Sequence, residues 1–151
     1  MRTNRLIKVS AATAVAAAVV CGGASAASAN SDSESTRFDN GQTLTANIWI
    51  QSFTWTSCGS FQSSAVMTAS PNWIKNHTAF YQIGLGSVSI KGASLDSDRS
   101  SSSVTWTNSN GSRGSYISGK VCGGWGAFYV GADTTAQAYY YGNLRSTTAH
   151  V

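Results

Sequence analysis

The stretch that decides the fold is "TLTANIWI", residues 43–50, in which apolar and polar side chains alternate with a period of two. The side chains that share its apolar side are Leu44, Ala46, Ile48 and Ile50. Trp49 falls on the opposite side, together with small polar residues. Successive side chains of a β-strand point to opposite faces, so this alternation predicts a strand that buries one face only.

Similar segments follow along the rest of the chain. Residues 60–69, "SFQSSAVMTA", place Phe61, Ala65 and Met67 on one side, and Pro71 follows in a turn. Residues 78–92, "TAFYQIGLGSVSIKG", contain two glycines that indicate a bulge or bend after an apolar face formed by Tyr81, Ile83 and Leu85.

The second half of the chain continues in the same way. "SVTWT" and "SYISGKV" flank a glycine-rich turn, and "WGAFYVG" and "TTAQAYYYG" complete the set of candidate strands. No segment after the first 29 residues shows a sustained helical period. We therefore expect an all-β protein, a small antiparallel β-sandwich of about seven strands in residues 43–151.

Residues 1–29 have the pattern of a secretory leader. Three basic residues precede an alanine-rich apolar run, and two Ala-Ser-Ala sites end at Ala26 and Ala29. We expect a signal peptide that is cleaved after one of these two residues, a secreted protein, and no stable membrane anchor.

Residues 30–42, "NSDSESTRFDNGQ", contain little apolar surface, and we expect them to form a flexible polar arm. The arm is acidic and the rest of the chain is mildly basic, so it is a candidate for docking on a partner. The residues that would make this contact are Asp32, Glu34, Phe38 and Asp39. Outside the leader, seven lysines and arginines balance six acidic residues, and they form no basic stripe, which argues against a nucleic-acid partner.

Two cysteines, Cys58 and Cys122, lie outside the leader, and in a secreted protein such a pair predicts a disulfide. The two histidines, His77 and His150, are not at metal-ligand spacing from them, so we expect no metal. We also expect no cofactor.

Catalytic motifs are not evident. Asp96 and Asp98 share a serine-rich loop and Asp133 lies in a turn, so no acidic residue is placed for general acid or base work. No histidine is placed beside a nucleophile and an orienting group. We therefore expect that the protein is not an enzyme.

Aromatic residues are the strongest functional signal. The chain has five tryptophans and six tyrosines, and all of them follow the leader. We select as a candidate recognition surface Trp49, Trp125, Tyr139 and Tyr141. Outward aromatic side chains can anchor a protein interface or stack on sugars. Alternatively, one aromatic face is buried in the core and the other aromatic residues are ordinary surface residues.

Residues 102–142 carry a resemblance to a known family. The order "SVTWTNSNGSRG", "GGWGAFYVG" and "TTAQAYYYG" resembles lactococcin-972-type bacteriocins, which are small exported all-β proteins. More loosely, the protein resembles the small adaptor subunits of actinobacterial umbrella toxin particles, whose N-terminal strap docks into a partner. These resemblances imply non-enzymatic protein recognition in antagonism between bacteria, with a toxin-complex subunit or a component of the target-cell surface as the partner. The alternative function is a secreted module that binds carbohydrate or cell wall.

Overall fold

The structure, a computed structural model, describes residues 29–52, 57–93 and 98–151. The expected signal peptide lies outside the described residues, except for Ala29. Asp96 is likewise outside them.

The described residues form ten strands and no helix. The strands are β1 (Ala29–Arg37), β2 (Thr43–Gln51), β3 (Cys58–Met67), β4 (Trp73–Gly84), β5 (Ser89–Lys91), β6 (Asp98–Arg99), β7 (Ser103–Asn108), β8 (Gly114–Cys122), β9 (Ala127–Tyr140) and β10 (Asn143–His150). Sheet A has the order β1-β2-β3-β8-β5, sheet B has the order β10-β9-β4-β7-β6, and every neighbouring pair is antiparallel. The all-β, sandwich-like prediction is confirmed, with more strands than the seven expected.

The core lies between the two sheets. On sheet A the alternation of residues 43–50 buries the predicted face, and Trp49 is on the outer face as expected. The inner face of sheet B is mostly small, and its buried alanines are Ala132, Ala136, Ala138 and Ala149. Large side chains of sheet A therefore fill the space that these alanines leave, and Phe61 meets Phe80 of sheet B edge to face at 4.6 Å between ring centroids.

A hydrogen-bonded polar group crosses this core. The Asn76 amide donates to Ser63 Oγ at 3.1 Å and to the Ser115 carbonyl at 3.4 Å. The Thr78 hydroxyl donates to Ser63 Oγ at 2.7 Å and lies 3.0 Å from the hydroxyl of Thr134. All five residues are buried, so these bonds link the two sheets at a place where unpaired polar groups would be costly.

The expectation of a flexible arm over residues 30–42 is wrong. Residues 29–37 form β1, which pairs with β2 along its whole length, and residues 38–42 turn into β2. The segment looked disordered because it is polar. An edge strand needs no apolar face when its backbone is paired with a neighbour and its side chains also pair, as Ser33 with Asn47 at 2.8 Å and Ser35 with Thr45 at 2.8 Å.

Three of the four residues expected to dock on a partner are instead engaged within the chain. Asp32 accepts a hydrogen bond from the backbone nitrogen of His150, and Asp39 pairs with Arg145 at 2.7 Å. Phe38 is 3% exposed and packs in the core. Glu34 is exposed. The docking assignment is therefore corrected for Asp32, Phe38 and Asp39: these residues hold β1 and the turn after it against β9 and β10.

Candidate functional site

The predicted disulfide is confirmed and marks one end of the sandwich. Cys58 and Cys122 face each other at the start of β3 and the end of β8, with a sulfur–sulfur distance of 2.02 Å. Strands β2 and β4 also end here, and β9 begins here. We call this region the disulfide end.

The disulfide end carries a group of large exposed apolar side chains. Phe128 is 88% exposed, Trp125 is 74%, Leu85 is 63% and Ile83 is 61%. Partly exposed tyrosines of β4 and β9 lie beside them. We call the whole set the apolar tip, and its members are Tyr81, Ile83, Leu85, Trp125, Phe128 and Tyr129.

Two paired turns build the apolar tip. The regular pairing of β4 with β9 ends in an irregularity at Gly84, and the backbone nitrogen of Leu85 then donates to the carbonyl of Gly126 at 3.2 Å. Gly84 and Gly126 have φ values of 126° and 75°, which are accessible mainly to glycine. The side chain of Gln82 joins the same turns, because its amide accepts from the nitrogen of Gly124 at 2.9 Å and donates to the carbonyl of Leu85. The turns are therefore fixed relative to each other.

The tyrosine side of the tip is anchored to the last residue of the chain. The Tyr81 and Tyr129 rings lie 6.4 Å apart, and the Tyr81 hydroxyl donates to the carbonyl of Val151 at 3.2 Å. Burial, with smaller contributions from Tyr129 and Asp133, raises the pKa of Tyr81 above its usual value. The hydroxyl accordingly stays neutral and remains a donor at physiological pH.

None of the tip residues carries a charge. Lys91 and Lys120 oppose each other on β5 and β8, two residues before Cys122 at the end of β8. Several large exposed apolar side chains at one end of a molecule are uncommon on a protein that acts alone and are typical of a contact site for another apolar surface.

The four aromatic residues selected from the sequence do not form one surface. Trp125 belongs to the apolar tip, and Trp49 lines a groove on the outer face of sheet A. Tyr139 lies on the outer face of sheet B, where it stacks on Trp73 with 6.3 Å between centroids. Tyr141 is in the β9–β10 turn at the opposite end, 79% exposed. The assignment of a single recognition surface is corrected accordingly.

Sequence reasoning missed most of the tip because it grouped Ile83 and Leu85 with Tyr81 as one strand face. Phe128 was likewise read as an ordinary strand residue. The available signal was the pair of glycines at 84 and 86, since a strand that ends there leaves its last apolar side chains beyond the core.

Ionisable side chains are scattered over the surface. His77 is hydrogen-bonded to Thr105 at 2.7 Å, and His150 lies 2.8 Å from Asp133, whose carboxylate raises the pKa of His150 above 6.5. Within the described ranges, no three His, Cys, Asp or Glu side chains are grouped as a metal site would require. Those ranges also contain no helical segment with the length and apolar character needed to cross a bilayer.

Comparison of the chain with protein-family models, with curated proteins and with solved structures gave no significant match.

Proposed function

We propose that this protein is a secreted, non-enzymatic recognition protein that binds a partner protein through the apolar tip. The observation that supports this most strongly is the exposure of Leu85 and Trp125 on turns held together by hydrogen bonds and of Phe128 at the start of β9. Large aromatic and aliphatic anchors contribute much of the free energy of protein association. Anchors that are already fixed lose little conformational entropy on binding.

The shape of the tip favours a structured protein over a lipid bilayer. Phe128 and Tyr129 of β9 line a small depression of about 110 Å³ together with Ile50 and Gln51 of sheet A, and Tyr129 is also paired with Ile83 within sheet B. The apolar side chains therefore alternate with a hollow and point in more than one direction. Such relief suits a complementary folded surface, because interface cores are packed as closely as protein interiors.

The biological setting of the proposal comes from the resemblance of residues 102–142 to lactococcin-972-type bacteriocins. This resemblance supports a role in antagonism between bacteria, either as a bacteriocin-like protein or as an adaptor subunit of a secreted toxin complex. A free N-terminal strap is not part of the proposal, because β1 is paired with β2. The proposed docking surface for the partner protein is the apolar tip instead.

A matched pair of leucines provides the test. Leu85 in the tip and Leu144 at the opposite end are 63% and 58% exposed, so either can be changed to serine with little effect on folding. The tagged proteins are expressed in the source organism and purified from its culture supernatant without detergent, and co-purifying proteins are quantified by mass spectrometry.

We expect a defined partner with the wild type and with Leu144→Ser, and at least tenfold less of it with Leu85→Ser. Equal recovery with both variants would refute the tip as the docking site. Sedimentation with phosphatidylcholine–phosphatidylglycerol vesicles is measured in parallel. Tip-dependent vesicle binding without a protein partner would instead assign the tip to a membrane surface.

A further inference from the structure

The outer face of sheet A contains a groove that the apolar tip does not use. It has a volume of about 770 Å³, within the range of small-molecule sites, and it is formed by side chains of β1, β2, β3 and β8. The lining side chains that matter here are Asn47, Trp49, Gln62, Ser64, Tyr116 and Ser118. We call it the sheet A groove.

Two aromatic residues stand at different positions of this groove. The strand register places Trp49, Gln62 and Ser118 in one row across the sheet, and Asn47, Ser64 and Tyr116 in the next. Trp49 and Tyr116 are thus separated by two strand spacings and one step along the strand, about 12 Å between Cα atoms. A ligand that touches both must be longer than a single ring.

The orientation of Tyr116 depends on a glycine. A Cβ atom at Gly114, two residues away on the same face, would lie 2.8 Å from Cζ of Tyr116. The ring therefore lies over the glycine, and it is part of a side chain that is 64% exposed. A flat, accessible aromatic ring is the form that can stack on a ligand.

Uncharged polar groups form the floor between the two rings. Ser33 donates to Asn47 Oδ1 at 2.8 Å and Asn47 donates to Ser64 at 3.1 Å, so the orientation of this amide is fixed. Gln62 and Ser118 are exposed, and neither side chain has a hydrogen-bond partner within the described ranges. Their amide and hydroxyl are available to a ligand.

Asp32 is the one charged residue among the described residues that line the groove, and its carboxylate accepts a hydrogen bond from the backbone nitrogen of His150. No cationic side chain lines the groove in the described part of the chain. An anionic ligand would therefore lose hydration here without gaining a counter-charge.

An extended peptide is also a poor fit. Peptides commonly bind to sheets by adding a strand to an exposed edge. The strands that form the centre of the groove, β2 and β3, are paired on both sides, and β5 pairs with β8 only from Lys120 onward. An added strand could therefore pair only at the borders of the groove, at β1 or at the earlier part of β8, and it would not cover the floor.

We propose that the sheet A groove binds a neutral glycan chain. Pyranose rings have apolar C–H faces that stack on Trp49 and Tyr116, and uncharged hydroxyls that pair with Gln62 and Ser118. Because the Cα atoms of Trp49 and Tyr116 are about 12 Å apart, the ligand must be an oligosaccharide and not a single sugar. This inference is independent of the apolar tip.

The test is titration calorimetry of the full protein against hexasaccharides of chitin and cellulose, with oligogalacturonate as the anionic comparison. Trp49→Ala is matched with Trp73→Ala, since both tryptophans are partly buried on outer faces but on different sheets. Gln62→Ala, at an exposed position that contributes nothing to the core, keeps the test valid if Trp49→Ala does not fold.

We expect one neutral hexasaccharide to bind with little dependence on salt, at least tenfold weaker binding with Trp49→Ala or Gln62→Ala, and no change with Trp73→Ala or Leu85→Ser. Absence of binding by both neutral hexasaccharides at millimolar concentration would overturn the proposal. So would equal losses with Trp49→Ala and Trp73→Ala, or binding of oligogalacturonate alone.

Discussion

The carboxylate of Asp32 accepts a hydrogen bond of 2.9 Å from the backbone nitrogen of His150, and this bond joins the first strand to the last. The imidazole of His150 in turn lies 2.8 Å from the carboxylate of Asp133. Strands β1 and β10 are edge strands of different sheets, so these side chains close one side of the sandwich. They also make that closure sensitive to pH.

The pH dependence of stability follows from two opposite pKa shifts. Hydrogen bonds from the backbone of His150 and Ser33 lower the pKa of Asp32 below 3.8, so its contribution is present above that pH and is lost as pH falls through the folded-state value. The hydrogen bond to Asp133 raises the pKa of His150 above 6.5, so its contribution is present below pH 6.5 and is lost as pH rises through the folded-state value.

We therefore expect the melting temperature to be highest between about pH 4 and pH 6.5 and to fall on both sides. Asp32→Asn should reduce the fall of the melting temperature at acidic pH. Asp133→Asn should reduce its fall at neutral to basic pH. Calorimetric melting curves from pH 2 to pH 9 check both. Unchanged slopes in the two variants would show that these pairs do not control the pH profile.

Phe38 tests whether the segment before β2 belongs to the fold. Its side chain is 3% exposed and meets Tyr140 edge to face at 5.8 Å. We expect Phe38→Ala to reduce the free energy of unfolding by about 3 kcal/mol, measured by urea titration. Phe128→Ala, at a position 88% exposed, is the control and should change it by less than about 0.5 kcal/mol. If Phe38→Ala left the free energy of unfolding unchanged, residues 30–42 would instead be a flexible arm.

The disulfide should contribute strongly because it closes a long loop. Cys58 and Cys122 are 64 residues apart, which corresponds to about 4 kcal/mol of stabilisation from reduced entropy of the unfolded chain. The double variant Cys58→Ala, Cys122→Ala should melt well below the wild type while its far-ultraviolet circular dichroism stays that of a β-protein. Two free thiols in the intact purified protein would contradict the assignment.

Ser63 and Ser64 are neighbours on opposite faces of β3. Ser63 is 4% exposed and accepts hydrogen bonds from Asn76 and Thr78, so Ser63→Ala leaves an N–H of Asn76 without its acceptor and leaves Thr134 as the hydroxyl partner of Thr78. We expect a loss of about 1–3 kcal/mol by urea titration. Ser64→Ala removes a bond to Asn47 that water can replace, and it should cost less than about 0.5 kcal/mol. A loss for Ser63→Ala as small as that for Ser64→Ala would mean that the buried hydrogen bonds of Ser63 add no stability.

The sequence predicted those parts of the structure whose residue pattern is compatible with a single arrangement. The alternation over residues 43–50 requires one buried face, and Cys58 and Cys122 are the two cysteines that follow the expected signal peptide, so each has only the other as a partner. Strand β1 was missed because its stability comes from β2 and β10, which its own composition does not reveal. The apolar tip was missed for the converse reason: Ile83 and Leu85 have core character, and only the end of strand pairing at Gly84 exposes them.

Site-specific photo-crosslinking tests the docking role of the apolar tip most directly. Benzoylphenylalanine is placed at Phe128 in one sample and at Leu144 in a second, and each purified protein is irradiated in culture supernatant of the source organism. The account predicts a discrete adduct with one partner protein from position 128 and none from position 144. Adducts from position 144 alone, or none from position 128, would contradict it.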